Sequence, residues 1–163
     1  MLNNDHAAFE AAQSRAAAAV SCESVVLPSG LTVLCRTMPG YSSVHAIYAT
    51  GFGSIHRAFK LDGKQVTLPA GTAHFLEHKM FDLPGRDVMA EFSALGANPN
   101  AFTSYNLTAY YFSCTEHFRE CLELLLTYVS TPYFTQESVD KERGIIDQEI
   151  GMNLDAADSV VFE

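Results

Sequence analysis

The chain has 163 residues, room for one domain with a core of its own. At 48% hydrophobic and 18% charged it has the composition of an ordinary globular protein, which excludes a disordered chain. Ten basic residues against 19 acidic ones give a net charge of −9, which argues against a nucleic-acid backbone or an anionic membrane as partner. No apolar run approaches the roughly 18 residues of a spanning helix, so no membrane segment is expected. The charge is also uneven, with 11 acids and 3 bases between Glu116 and Glu163.

In chain order, residues 1–20 form an alanine-rich leader, expected to be flexible or a ragged helix. Asp5, Glu10 and Arg15 interrupt it, and no basic cluster precedes an apolar core, so it does not read as a signal peptide. Residues 24–36 predict a hairpin around Pro28-Ser29-Gly30. A third strand follows over Ser43 to Thr50, with Val44, Ala46 and Tyr48 on one face and His45, Ile47 and Ala49 on the other. Gly51 to Gly71 shows little periodicity and reads as a long loop. A helix is expected after Gly71 through Phe81 with Thr72 as N-cap, then a short one over Asp87 to Leu95 stopped by Gly96.

Ala101 to Cys114, rich in Thr, Tyr and Phe, predicts one long strand. Phe118, Cys121, Leu122, Leu125, Tyr128 and Val129 recur at helical spacing, and Thr131-Pro132 ends that helix. A last helix starts near Thr135 and reaches at least Met152. The fold class is α+β, an antiparallel sheet with helices packed on one face. The working domain spans 21–163, and its apolar end, Val160-Val161-Phe162, is read as cut short at the C-terminal side. Cys22, Cys35, Cys114 and Cys121 form no C-x-x-C pair and are expected to be buried free thiols, which points to the cytoplasm.

The chemistry concentrates in His74-Phe75-Leu76-Glu77-His78. At about 100° per residue, His78 lies some 40° round the helix from His74, and Glu77 some 60° the other way. The three side chains therefore leave one face, while Ala73, Leu76 and Met80 can anchor the other. Two imidazoles at i, i+4 can share one zinc ion, and the adjacent carboxylate can act on water beside it. The pattern is the inverted form of the H-E-x-x-H protease motif. Catalytic zinc also needs a third protein ligand, and the last helix offers Glu137, Glu142 and Glu149. Glu142 and Glu149 are two turns apart on one face, and spacing leaves open which of them binds metal. His6, His45, His56 and His117 have no partner at ligand spacing and are read as structural or surface residues.

Three runs carry a resemblance: Gly71 to Phe81 around the histidines, Ala94-Leu-Gly-Ala-Asn-Pro-Asn-Ala-Phe-Thr-Ser104, and Lys141-Glu-Arg-Gly-Ile-Ile-Asp-Gln-Glu-Ile150. Together they resemble the insulinase–pitrilysin family of zinc peptidases, the inverzincins, and most of all its bacterial cytosolic members. The resemblance covers about residues 24–163. It implies that His74 and His78 bind zinc, that Glu77 is the general base and that Glu149 is the third ligand. Glu142 would then orient the site and support catalysis. The resemblance also implies that peptide substrate adds as a β-strand along Asn100, Ala101, Phe102 and Thr103.

Members of that family are built as two homologous halves or paired subunits that close around the peptide, and nothing in this chain matches the second half. The expected function is therefore zinc-dependent endopeptidase, with this chain the metal-binding part. The chain alone is expected to cleave poorly and to self-associate through a free strand edge and exposed apolar surface. The alternative from another class is a non-catalytic half that binds a peptide or a homologous partner. A further rival is a metal-dependent hydrolase acting on something other than peptides.

Overall fold

A computed structural model describes residues 22–155. The leader with His6, and the Val160-Val161-Phe162 run, lie outside the described residues. The chain divides between Ser42 and Ser43 into two units. The described part of the first is the expected hairpin, β1 (Cys22–Val26) against β2 (Thr32–Arg36), antiparallel with Val25 opposite Val33. Its turn closes through the Gly30 N–H on the Leu27 carbonyl at 2.8 Å.

The second unit is built on a three-stranded antiparallel sheet of β3 (Val44–Thr50), β8 (Asn98–Thr103) and β9 (Thr108–Cys114), in the order β3-β9-β8. β8 therefore lies at an edge of this sheet. The alternation expected for β3 holds: Ala46 opposes Phe112 and Tyr48 opposes Tyr110, and all four face the core. Helices α1 (Thr72–Met80), α2 (Val88–Ala94) and α3 (Phe118–Ser130) pack on that same face, and α4 (Gln136–Asp155) lies against α1. The core joins Val88 and Phe92 of α2, Tyr110, Phe112 and Cys114 of β9, and Cys121, Leu125 and Tyr128 of α3. Phe81 stacks on Tyr128 at 4.9 Å between ring centres, which ties the end of α1 to this core.

Four expectations need correction. The Gly51 to Gly71 stretch is not structureless, because β4 (Ala58–Leu61) and β5 (Lys64–Thr67) form a hairpin. Asp62 and Gly63 both have positive φ, the turn that an Asp-Gly pair favours between short strands. Ala101 to Cys114 is two strands rather than one. Ser104 to Leu107 reverses the chain, with the Ser104 N–H donating to the Leu107 carbonyl at 2.8 Å. Thr72 is not the N-cap of α1; Gly71 is, and the Thr72 hydroxyl donates back to the Pro69 carbonyl at 2.9 Å. Two further short strands, β6 (Asp82–Leu83) and β7 (Arg86–Asp87), join α1 to α2, and Asp87 caps α2 by accepting from the Ala90 N–H. All four cysteines are free as expected, but Cys22 and Cys35 are exposed and only Cys114 and Cys121 are buried.

Candidate metal centre

α1 presents His74, Glu77 and His78 toward α4 and β8, and buries Ala73 behind them. Three contacts dock α4 across it. Thr135 and Ser138 form a reciprocal cap at the start of α4, each hydroxyl accepting from the other's backbone N–H at 3.1 Å. The Ser138 hydroxyl also accepts from Nζ of Lys79 at 2.8 Å. That lysine is fully buried and pairs with Asp82, so its charge is compensated where α1 meets α4. Further along α4, Glu142 and Glu149 reach the histidines. Ser138, Glu142 and Glu149 thus share one face of α4.

The geometry gives the two glutamates different positions. Glu142 Oε1 lies 2.8 Å from Nδ1 of His78. Nδ1–H donates to this carboxylate, which leaves the lone pair on Nε2. That Nε2 sits 3.1 Å from Nε2 of His74, and Glu149 Oε2 lies 3.6 Å from both. Donor atoms around one tetrahedral zinc, each at about 2.0–2.1 Å from the ion, stand about 3.3 Å apart. The donor set of two imidazoles and one carboxylate, with these separations, fits that metal. A second observation agrees. Glu149 Oε2 is buried and has no hydrogen-bond partner among the described residues, which is costly for a carboxylate oxygen unless a cation meets it.

Glu77 is buried, at 9% exposure, and lies over the sheet rather than among the ligand atoms. Its Oε2 accepts from the Thr103 hydroxyl on β8 at 2.7 Å. Beside Thr103, the Thr108 hydroxyl donates to the Phe52 carbonyl at 2.8 Å, which fixes the start of β9 to the loop after β3. The phenol of Tyr110 is pushed above its ordinary pKa chiefly by burial and then by the Glu77 charge.

Of the strand residues singled out from the sequence, Asn100 and Phe102 are exposed, while Ala101 and Thr103 are half-buried on the helix-facing side. The Ser104–Leu107 bond sets the pairing parity of the hairpin. Residues 99, 101 and 103 accordingly turn their main-chain groups to the free edge, while 98, 100 and 102 bond to β9. Pro99, with no N–H to donate, occupies one of these outward positions. The Ala101 N–H is taken by Oδ1 of Asn100 at 2.8 Å. Glu137, also weighed from the sequence, makes no contact with the histidines. Sequence reasoning missed the Thr103 hydroxyl as a partner of Glu77, and missed Lys79 and Ser138 as the pair that docks α4.

Comparison with known proteins identifies the family. A family model described as insulinase, peptidase family M16, matches residues 67–163. A protein of Bacillus subtilis (strain 168) named as the uncharacterized zinc protease YmfH is 45% identical over 134 residues, 81% of this chain and 31% of the relative. A solved structure described as an M16-like peptidase from Alicyclobacillus acidocaldarius superposes with a TM-score of 0.82 at 42% identity, over 86% of this chain and 33% of that one. A protease structure from Helicobacter pylori shares the fold with a TM-score of 0.72 at 22% identity, over 88% of this chain and 34% of the other. The chain thus spans about a third of the length of the relatives it matches. With its α+β architecture, its H-x-x-E-H helix and this match, the chain belongs to the insulinase family of peptidases, family M16.

Proposed function

We propose that this chain is the zinc-binding part of a metalloendopeptidase, with His74, His78 and Glu149 as the metal ligands and Glu77 as the general base. The observation that carries the reading is the convergence of two Nε2 atoms and the unpartnered Glu149 oxygen on one point, 3.1–3.6 Å from one another. Zinc held there supplies a Lewis acid that polarises a carbonyl and brings the pKa of water toward neutrality. Glu77 takes the proton from the attacking water and returns it to the leaving amine. Glu142 holds His78 in the tautomer that a ligand needs. Peptide pairs with the free edge of β8 along Asn100 to Thr103, main chain to main chain, and Phe102 flanks it.

A homologous second half or a paired subunit completes the enclosure and supplies further donors for the oxyanion. The span of about a third of the relatives' length supports that part of the proposal. The domain runs over 21–163 and, in this reading, continues in the longer protein; alone it cleaves poorly and self-associates through the β8 edge. Among the described residues no helix is long and apolar enough to cross a membrane. The two buried free thiols accord with a place in the cytoplasm. The non-catalytic alternative has no use for a buried Glu77 held by a dedicated hydroxyl, and that contact favours the enzyme.

The test is metal analysis and peptide hydrolysis on the full-length protein, with anomalous scattering at the zinc edge. One zinc per chain at these three side chains is expected. Glu77→Gln should keep the metal and abolish turnover, whereas Glu149→Gln should lose both. Zinc bound elsewhere, or equal metal loss in the two variants, would refute the assignment.

A further inference from the structure

Thr103 links the helix that carries the histidines to the edge strand. Its hydroxyl donates to Glu77 Oε2 at 2.7 Å, and its main chain belongs to the set that faces the free edge of β8. We infer that Thr103 is a positioning residue, which fixes the carboxylate of Glu77 relative to the strand along which peptide lies. The inference rests on the reading of Glu77 as base and of β8 as substrate edge, and adds to both.

A glutamate on a helix reaches its target through three rotatable bonds, and a carboxylate that must meet one water has to be held in one orientation. Glu77 has little else to hold it. Among the described residues, the Thr103 hydroxyl is the hydrogen-bond partner of its side chain. The bond engages Oε2, and Oε1 has no hydrogen-bond partner among the described residues.

Thr103 is in turn held by the hairpin. It opposes Thr108 in register, their hydroxyl oxygens lie 3.4 Å apart, and Thr108 is tied to the Phe52 carbonyl. At the open edge, residues 99–103 carry two N–H groups, since Pro99 has none: that of Ala101, which Oδ1 of Asn100 accepts, and that of Thr103. One residue therefore offers its backbone to the peptide and its side chain to the base. A shift of the strand would move both together, which keeps the scissile bond and the base in register.

The substitutions that separate this role from simple packing are Thr103→Val and Thr103→Ser. Valine keeps the branched shape and removes the donor; serine keeps the donor and removes the methyl group. In the full-length protein, Thr103→Val is expected to retain zinc, to lower kcat by about 10- to 100-fold and to leave KM within about two-fold, the range expected for losing a hydrogen bond to a charged group. Serine is expected to restore most of the rate. A valine variant with the wild-type kcat, or a serine variant as impaired as valine, would overturn the proposal.

A second readout needs no turnover. In crystal structures of the variants, the Glu77 carboxylate should keep its single orientation with serine and lose it with valine. An unchanged carboxylate in the valine variant would also overturn the proposal. Should Glu77→Gln prove as active as wild type, the assignment of the base fails, and the crystallographic comparison still decides whether Thr103 orients the side chain.

Discussion

Glu142 meets His78 at Nδ1, away from the proposed ligand atoms, yet on that assignment it should carry a measurable share of metal affinity. Its Oε1 lies 2.8 Å from Nδ1 of His78, with the two side chains 16% and 25% exposed. Removing the carboxylate frees the ring to rotate, lets the proton move to the ligating nitrogen, and makes the imidazole a weaker donor. Partners of this kind are worth about 10- to 100-fold in metal affinity, or about 1.4–2.7 kcal/mol. Partial exposure lets water replace some of the contact, so Glu142→Ala should fall in the lower half of that range. Glu142→Gln keeps an oxygen that can accept from Nδ1–H and loses only charge, and should weaken binding by less than about tenfold. Glu149→Ala removes a ligand outright and should cost more than either. Competition against a chromogenic zinc chelator, on variants shown to be folded, gives the ranking. Wild-type affinity in Glu142→Ala, or a loss equal to that of Glu149→Ala, would refute the argument that one glutamate binds metal and the other orients a histidine.

Other consequences concern stability. A Cβ at Gly53 would stand 2.5–2.6 Å from backbone atoms of Ser104, Tyr105 and Leu107, none of which can swing away. Gly53→Ala should therefore cost about 1–3 kcal/mol, read from the urea midpoint, and a change below about 0.5 kcal/mol would show that this turn is slack. Burial, and after it the neighbouring Cys114, pushes the Cys121 thiol up to about 11. The unfolded chain gives up that proton first, so this contribution is complete below the ordinary thiol value and is lost as pH rises through the folded one. Tyr110 and Tyr128, also raised mainly by burial, act with the same sign at still higher pH. Urea midpoints should fall steadily between about pH 8 and about pH 11, and Cys121→Ala should remove the earliest part of the fall. The Tyr128 phenol is fully buried and unpaired among the described residues. Tyr128→Phe should be neutral or stabilising by up to about 1 kcal/mol at neutral pH, and a clear loss would mean that the hydroxyl has a partner after all.

What the sequence made legible was local. The i, i+4 spacing of His74 and His78 is a property of one helix, and so is the shared face of Glu142 and Glu149. The apolar spacing of α3 and the alternation in β3 needed no knowledge of their partners either. Which glutamate meets which nitrogen depends on how α4 crosses α1, and that is set by Lys79 against Ser138, residues about sixty positions apart. The Thr103–Glu77 bond joins a strand to a helix and leaves no periodic trace.

The two missed hairpins are a different matter. Asp62-Gly63 is a turn signal in itself, but the four-residue strands on either side of it are too short to show periodicity. Ser104-Tyr-Asn-Leu107 was hidden because the aromatic residues on either side continue the β pattern through it.

α4 buries none of its described residues fully, and it is held to the rest of its unit chiefly through α1. If Glu149 ligates zinc as proposed, one face of this long helix would be pinned to α1 through the ion as well as by the Ser138 and Glu142 contacts. Such an ion would act as a latch. When it is removed, α4 should loosen while the sheet and the Phe92–Phe112–Tyr128 core keep their packing. The same latch makes assembly a condition of chemistry. A chain whose α4 is undocked or clipped would still carry His74, Glu77 and His78 on an intact helix, but would lack the proposed third ligand and should hold metal weakly. On the proposed assignment a misassembled chain of this kind would be silent by construction, and its zinc content would report whether α4 has been seated.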